Sequence, residues 1–119
     1  MKLYVAAPMR GLPDFNFPAL LAAAKRLREA GHDVFCPAER DLGVGFNPTG
    51  MNGSHEDMAG AGFDLRAALG DDLAWITSTA DGVLVLPGWE QSHGATAEVA
   101  TARALGLLVQ PLDDFLSAP

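Results

Sequence analysis

A chain of 119 residues, 49% hydrophobic and 19% charged, has the size and balance of one globular domain and leaves no room for a separate substrate domain. Fifteen acidic residues against eight basic ones give a net charge of −7, which argues against the basic face that tracking a nucleic-acid polymer requires but permits a small anion held by a local arginine. The single cysteine, Cys36, excludes an internal disulfide and a cysteine-rich metal cluster and fits a reducing compartment. No charged, apolar leader precedes the first strand, and no apolar run nears the roughly 18 to 20 residues of a spanning helix, so the expectation is a cytoplasmic protein without a membrane partner.

In chain order, residues 2–7 read as a buried first strand ended by Pro8, with a Gly/Pro-punctuated loop to Pro13. Residues 17–30 read as a helix, with Leu20, Leu21, Ala24 and Leu27 at helical spacing and Gly31 as its stop. Residues 33–36 form the second strand, closed by Pro37, and a β-α-β unit of this length is expected to be parallel and right-handed. Six glycines and one proline among the twenty residues 43–62 read as a mobile loop, of the kind that serves as a lid or is locally disordered. A helix over 64–79, a third strand over 82–86, a third helix over 94–105 stopped by Gly106, and a short strand over 107–109 complete the pattern, with a final turn at Phe115 and Leu116. There is no internal repeat. The predicted fold is α/β, a single-domain Rossmann-like (flavodoxin-like) three-layer sandwich around a parallel sheet of four to five strands.

In such a fold the loops after the first three strands open on one edge of the sheet, where ligands bind. They carry Arg10 and Gly11, then Glu39 and Arg40, then Ser92, His93 and Gly94. Arg10 reads either as an ordinary surface arginine or, beside a glycine that lets backbone approach an anion, as a phosphate or carboxylate contact. The stretch Pro37-Ala38-Glu39-Arg40-Asp41 is located to suit base recognition, the alternative for Glu39 and Arg40 being a surface ion pair of little worth. Glu98 lies at the border of the stripe Ala95, Val99 and Ala102. An ionised carboxylate so near a helix start is favoured by about 0.3–1 kcal/mol and suits covalent attack on an anomeric carbon, the alternative being a solvated helix face. On the preceding helix, Leu65, Leu69, Leu73 and Ile76 mark the buried face, which puts Asp72 about 60° from its centre and Asp71 on the solvent side or at a restarting helix cap. A second carboxylate near Glu98 would complete the nucleophile-and-acid pair that glycosidic cleavage commonly uses.

The pattern Tyr4-x5-Arg10-Gly11, Asp72-Leu73-Ala74-Trp75-Ile76, Ala80-Asp81-Gly82-Val83-Leu84-Val85, Ser92-x-Gly94-x3-Glu98 and Ala104-x-Gly106 resembles the nucleoside 2-deoxyribosyltransferase superfamily. The serine six residues before the glutamate is closer to the 2-deoxynucleoside 5-phosphate N-hydrolases; the transferases carry an aspartate there. The resemblance implies that Glu98 attacks C1′ of a deoxyribose, that Asp72 protonates the leaving base and that Tyr4 orients Glu98. It further implies that Arg10, Gly11, Ser92 and the Gly94 amide hold a 5′-phosphate, that no metal or organic cofactor is needed, and that the protein is a homodimer or larger assembly acting on a nucleotide or nucleoside. The transferases also use the C-terminal carboxylate of a neighbouring subunit, which directs attention to Pro119. Pro8-Met9 stands in place of the small polar residues common before the Arg-Gly pair, and His93 replaces an aliphatic or small residue, as a base contact, a titrating group or an exposed side chain. Two readings from other classes remain: a nucleotide-binding module without turnover, and an interaction protein using Trp75 and Trp89 at an oligomer face.

Overall fold

Four short apolar runs form the strands, and each meets a proline within two residues of its end, a residue that cannot extend a ladder. In the computed structural model these are β1 (Lys2–Ala6), β2 (Asp33–Phe35), β3 (Gly82–Val85) and β4 (Leu108–Pro111). Between and after them lie α1 (Phe17–Glu29), α2 (Pro37–Gly43), α3 (His55–Gly60), α4 (Leu65–Ser78), α5 (His93–Ala104) and α6 (Leu112–Ser117). The structure describes residues 1–60 and 62–118, with the backbone alone at 55, 57 and 59. Position 61 of the expected loop and the C-terminal Pro119 lie outside the described residues.

The strands pair in the order β2-β1-β3-β4, all parallel, with Tyr4 opposite Phe35 on one side and Val83 on the other. Alternation along β1 decides the two cores, because successive side chains point to opposite faces. Leu3 and Val5 pack with Leu20, Ala23, Ala24 and Leu27 of α1 and Leu112 of α6. Tyr4 and Ala6 pack with Val83 and Val85 beneath Ile76 of α4 and Ala95, Val99 and Ala102 of α5. The result is a Rossmann-like α/β domain with a four-stranded sheet between helical layers. Among the described residues, no helix is long and apolar enough to cross a membrane.

The structure differs from the sequence expectation in three places that matter for the site. Residues 37–43, expected as loop, are helical, because Pro37 stands at the first helical position, where its fixed φ fits and its missing N–H costs nothing. The glycine-rich segment contains α3 and buries Phe46, Pro48 and Met58, with Phe46 stacked edge-on against Phe15 and Phe17. It also joins the loop after β1 through backbone bonds from Gly11 to Gly53 (2.7 Å) and from Asp14 to Met51 (2.9 Å). Gly53 has φ +81°, and a Cβ there would overlap the backbone of Gly11 and Leu12, so glycine is required on steric and conformational grounds. Finally, α4 runs unbroken through Gly70, with Asp64 capping it by accepting from the Ala67 amide at 3.0 Å. Its buried line is Ala68, Asp72 and Ile76, one every four residues, while Leu65 is exposed. Asp72 is therefore central to the buried face, not 60° from it.

Candidate active site

In parallel α/β sheets the ligand crevice lies where the strand order reverses, at the carboxyl ends of the strands. Here that point is between β1 and β3, and a cavity of about 400 Å³ opens beside it. The loop after β1 contributes Pro8, Met9 and Arg10; the loop after β3 and the start of α5 contribute Gly88, Ser92, His93, Gly94 and Glu98. Asp72 and Leu69 come from α4, and Phe46, Met58 and Phe63 form an apolar wall.

Glu98 and Asp72 are buried despite their charge, at 5% and 7% exposure. The Tyr4 hydroxyl, itself wholly buried behind Glu98, donates to Glu98 Oε2 at 2.6 Å. Asp72 lies within interaction range of both groups, and among the described residues its Oδ1 has no hydrogen-bond partner. A buried carboxyl oxygen without a donor is rare enough to require an explanation, and an oxygen in a cavity wall has one in a ligand.

Burial raises the Glu98 carboxyl well above the ordinary range, opposed by the Tyr4 hydrogen bond and reinforced by Asp72. Burial likewise pushes Asp72 up to about 6, with the nearby Asp41 adding to the rise. The helix-start dipole expected to keep Glu98 ionised is thus outweighed by desolvation, since a few tenths of a kcal/mol at a helix end is small beside removing a charge from water. Two such carboxyls in contact titrate as one system and share protons. Tyr4 is raised as well, first by burial and then by the two carboxyls, so it stays a hydrogen-bond donor.

Ser92 caps α5, its Oγ accepting from the Ala95 amide at 3.2 Å. The hydroxyl proton remains to be donated, and the first-turn amides of His93 and Gly94 have no intrahelical acceptor, which suits this end of the cavity to an anion. Arg10 is exposed at the rim, and among the described residues no carboxylate pairs with it.

The structure thus brings together Tyr4, Asp72 and Glu98, with Arg10, Ser92, His93 and Gly94 around them. It does not bring Gly11 or Glu39 to the cavity. The Gly11 amide is bonded to Gly53, which takes away the backbone donor assigned to it. Glu39 makes a bidentate pair with Arg28 at 2.6 Å away from the cavity, because it stands about 100° around α2 from the buried Ala38 and about 200° from Asp41. Arg40 is also committed, to Asp41 and Asp71. The acid that α2 turns inward is Asp41, which sequence reasoning placed in the base-recognition stretch but passed over in favour of Glu39. The signal was present: with Pro37 starting a helix at the end of β2, Ala38 and Asp41 fall three apart on one face.

Fold and site together define a class, a Rossmann-like α/β domain with a buried carboxyl pair in its ligand crevice. The chain belongs to the family described as a domain of unknown function, DUF4406, whose model matches residues 1–110. No curated protein matches it.

Proposed function

We propose that the protein cleaves the N-glycosidic bond of a 2′-deoxynucleotide, or of the corresponding deoxynucleoside, through a covalent glycosyl ester on Glu98. The observation that carries this reading is the buried Glu98–Asp72 pair in one cavity, with Tyr4 bound to the first acid and an unpartnered oxygen on the second. Glycosidic cleavage needs one carboxylate and one carboxylic acid, and a coupled pair holding a single proton supplies both. In the free protein burial leaves that proton on Glu98 and the charge on Asp72; Tyr4, donating to Glu98, opposes this and lowers the cost of the exchanged arrangement, charge on Glu98 and proton on Asp72, from which the reaction proceeds.

In the first step a Glu98 carboxylate oxygen bonds to C1′ as the C1′–N bond breaks; its electron pair leaves with the base, which takes the proton of Asp72. Water then attacks C1′, giving its proton to the Asp72 carboxylate and releasing the sugar from Glu98. A second base in place of water gives transfer. Arg10, the Ser92 hydroxyl and the Gly94 amide, which line the same cavity, hold the 5′-phosphate in this reading. The sequence resemblance adds that no cofactor takes part and that a homodimer or larger assembly completes the site. The lone cysteine fits action in the cytoplasm.

Free-base release from the common deoxynucleosides and their 5′-monophosphates, followed by chromatography, tests the proposal. Wild type should release base from at least one monophosphate, and Glu98→Gln should release none while its melting temperature still rises with that ligand. A ligand-dependent rise without release from wild type replaces turnover by nucleotide binding, a reading that the burial holding Glu98 neutral favours. No rise with any nucleotide points to the interaction protein.

A further inference from the structure

Asp41 is a third acid in the cavity, and the mechanism does not use it. It is 2% exposed and lines the same cavity as Asp72 and Glu98, one turn into the helix that starts at the end of β2. Arg40 Nη1 donates to its Oδ1 at 3.1 Å, while Arg40 Nη2 and Nε hold Asp71 of α4 at 2.8 and 3.0 Å. The guanidinium thus straps α2 to α4 and fixes the Asp41 carboxylate. Among the described residues, no donor reaches Asp41 Oδ2.

A charge pair in an otherwise apolar wall of Phe46, Met58, Phe63 and Leu69 costs more than an apolar side chain of the same size would. A ligand donor on the cavity side would offset that cost. A carboxylate with one oxygen tied to arginine and the other at a cavity accepts N–H donors and repels carbonyl oxygens. Asp72, the acid that protonates the departing base, sits on α4 across from α2, so the base leaves beside Asp41. The apolar wall is left to cover its flat faces.

We propose that Asp41 selects the leaving base by accepting a hydrogen bond from an exocyclic amino group, so that the substrates are deoxynucleotides of amino-bearing bases. This rests on the glycosidic reading above. The same donor-acceptor chemistry pairs carboxylates with the cytosine amino group elsewhere.

The test compares kcat/KM for base release at pH 7.5 for dGMP against dIMP, which differ by the amino group alone, and for dCMP against dUMP and dAMP against dIMP, in which the amino group becomes a carbonyl and the adjacent ring nitrogen gains a hydrogen. Wild type should favour the amino member of at least one pair by on the order of 10- to 100-fold, the span of one charge-assisted hydrogen bond. Asp41→Asn should reduce that preference below threefold or invert it, while still releasing the oxo base. Wild-type release without preference, or a preference unchanged in Asp41→Asn, overturns the assignment and leaves the glycosidic reading standing. If wild type releases no base at all, that reading falls, and melting-temperature shifts with the same pairs decide Asp41 alone. A larger shift with the amino member that Asp41→Asn abolishes supports it, and equal shifts overturn it. The wild-type comparison needs no variant, so a misfolded Asp41→Asn does not protect the proposal.

Discussion

Replacing Asp72 by asparagine should stabilise the protein at neutral pH, because the native fold pays to keep a carboxylate where water is scarce. Its carboxyl rises from 3.8 to about 6 on folding. At about 1.4 kcal/mol per pH unit, that rise corresponds to roughly 3 kcal/mol. The sign follows from proton binding. Below about pH 4 folded and unfolded chains both hold the proton; between about 4 and 6 only the folded chain does, so stability falls as pH rises through that window and is fully lost above it. Asparagine has no charge to desolvate, and its amide can donate toward Glu98. Asp72→Asn should therefore match wild type near pH 4 and exceed it by about 2–3 kcal/mol at pH 7.5, or roughly 5–15 °C in Tm for a domain of this size. Urea unfolding followed by far-UV circular dichroism at the two pH values measures it. A variant less stable than wild type at pH 7.5, with the same fall between pH 4 and 7.5, would refute the reasoning.

Tyr4→Phe removes the 2.6 Å donor from Glu98, so base release should drop on the order of 10- to 100-fold, and the acidic limb of the pH profile should move to higher pH as the Glu98 carboxyl rises further; rates within twofold of wild type with an unmoved limb would contradict the assigned role. Gly53→Ala should cost about 2 kcal/mol or more, since both its positive φ and the backbone of Gly11 and Leu12 oppose a Cβ, whereas Gly50→Ala, at φ +83° in open space, should cost about 1 kcal/mol or less. Denaturant midpoints for the two variants should separate clearly, and equal losses would show that the loop yields.

Period and punctuation carried most of the fold. The β1 run, α1 ending before Gly31, and β3 between Asp81 and Pro87 follow from local rules that tertiary structure had no reason to override. Asp72 and Glu98 were marked by their places beside buried helical stripes, Tyr4 came from the resemblance alone, and the parallel sheet accounted for the loops that meet at its edge. Three things were not readable. The buried face of α4 was assigned by leucines, yet a cavity rewards an acid, so the inward line is Ala68, Asp72 and Ile76. On α2 the residue types of Glu39 and Asp41 are nearly equivalent, and only the helical start at Pro37 decides which one faces inward. The protonation of Glu98 also depends on burial by residues distant in sequence, which no local pattern encodes.

The Tyr4–Glu98 bond joins residues 94 positions apart. It closes only after β1 has paired with β3 and α5 has docked on the sheet, contacts whose loop-closure entropy is met late in folding. Partly folded chains then hold Tyr4 and Glu98 without uniting them. Recovery of the 2.6 Å bond during refolding would consequently report completion of the whole topology, where far-UV signal reports only its helices, and chemistry at Glu98 would switch on as a single late event.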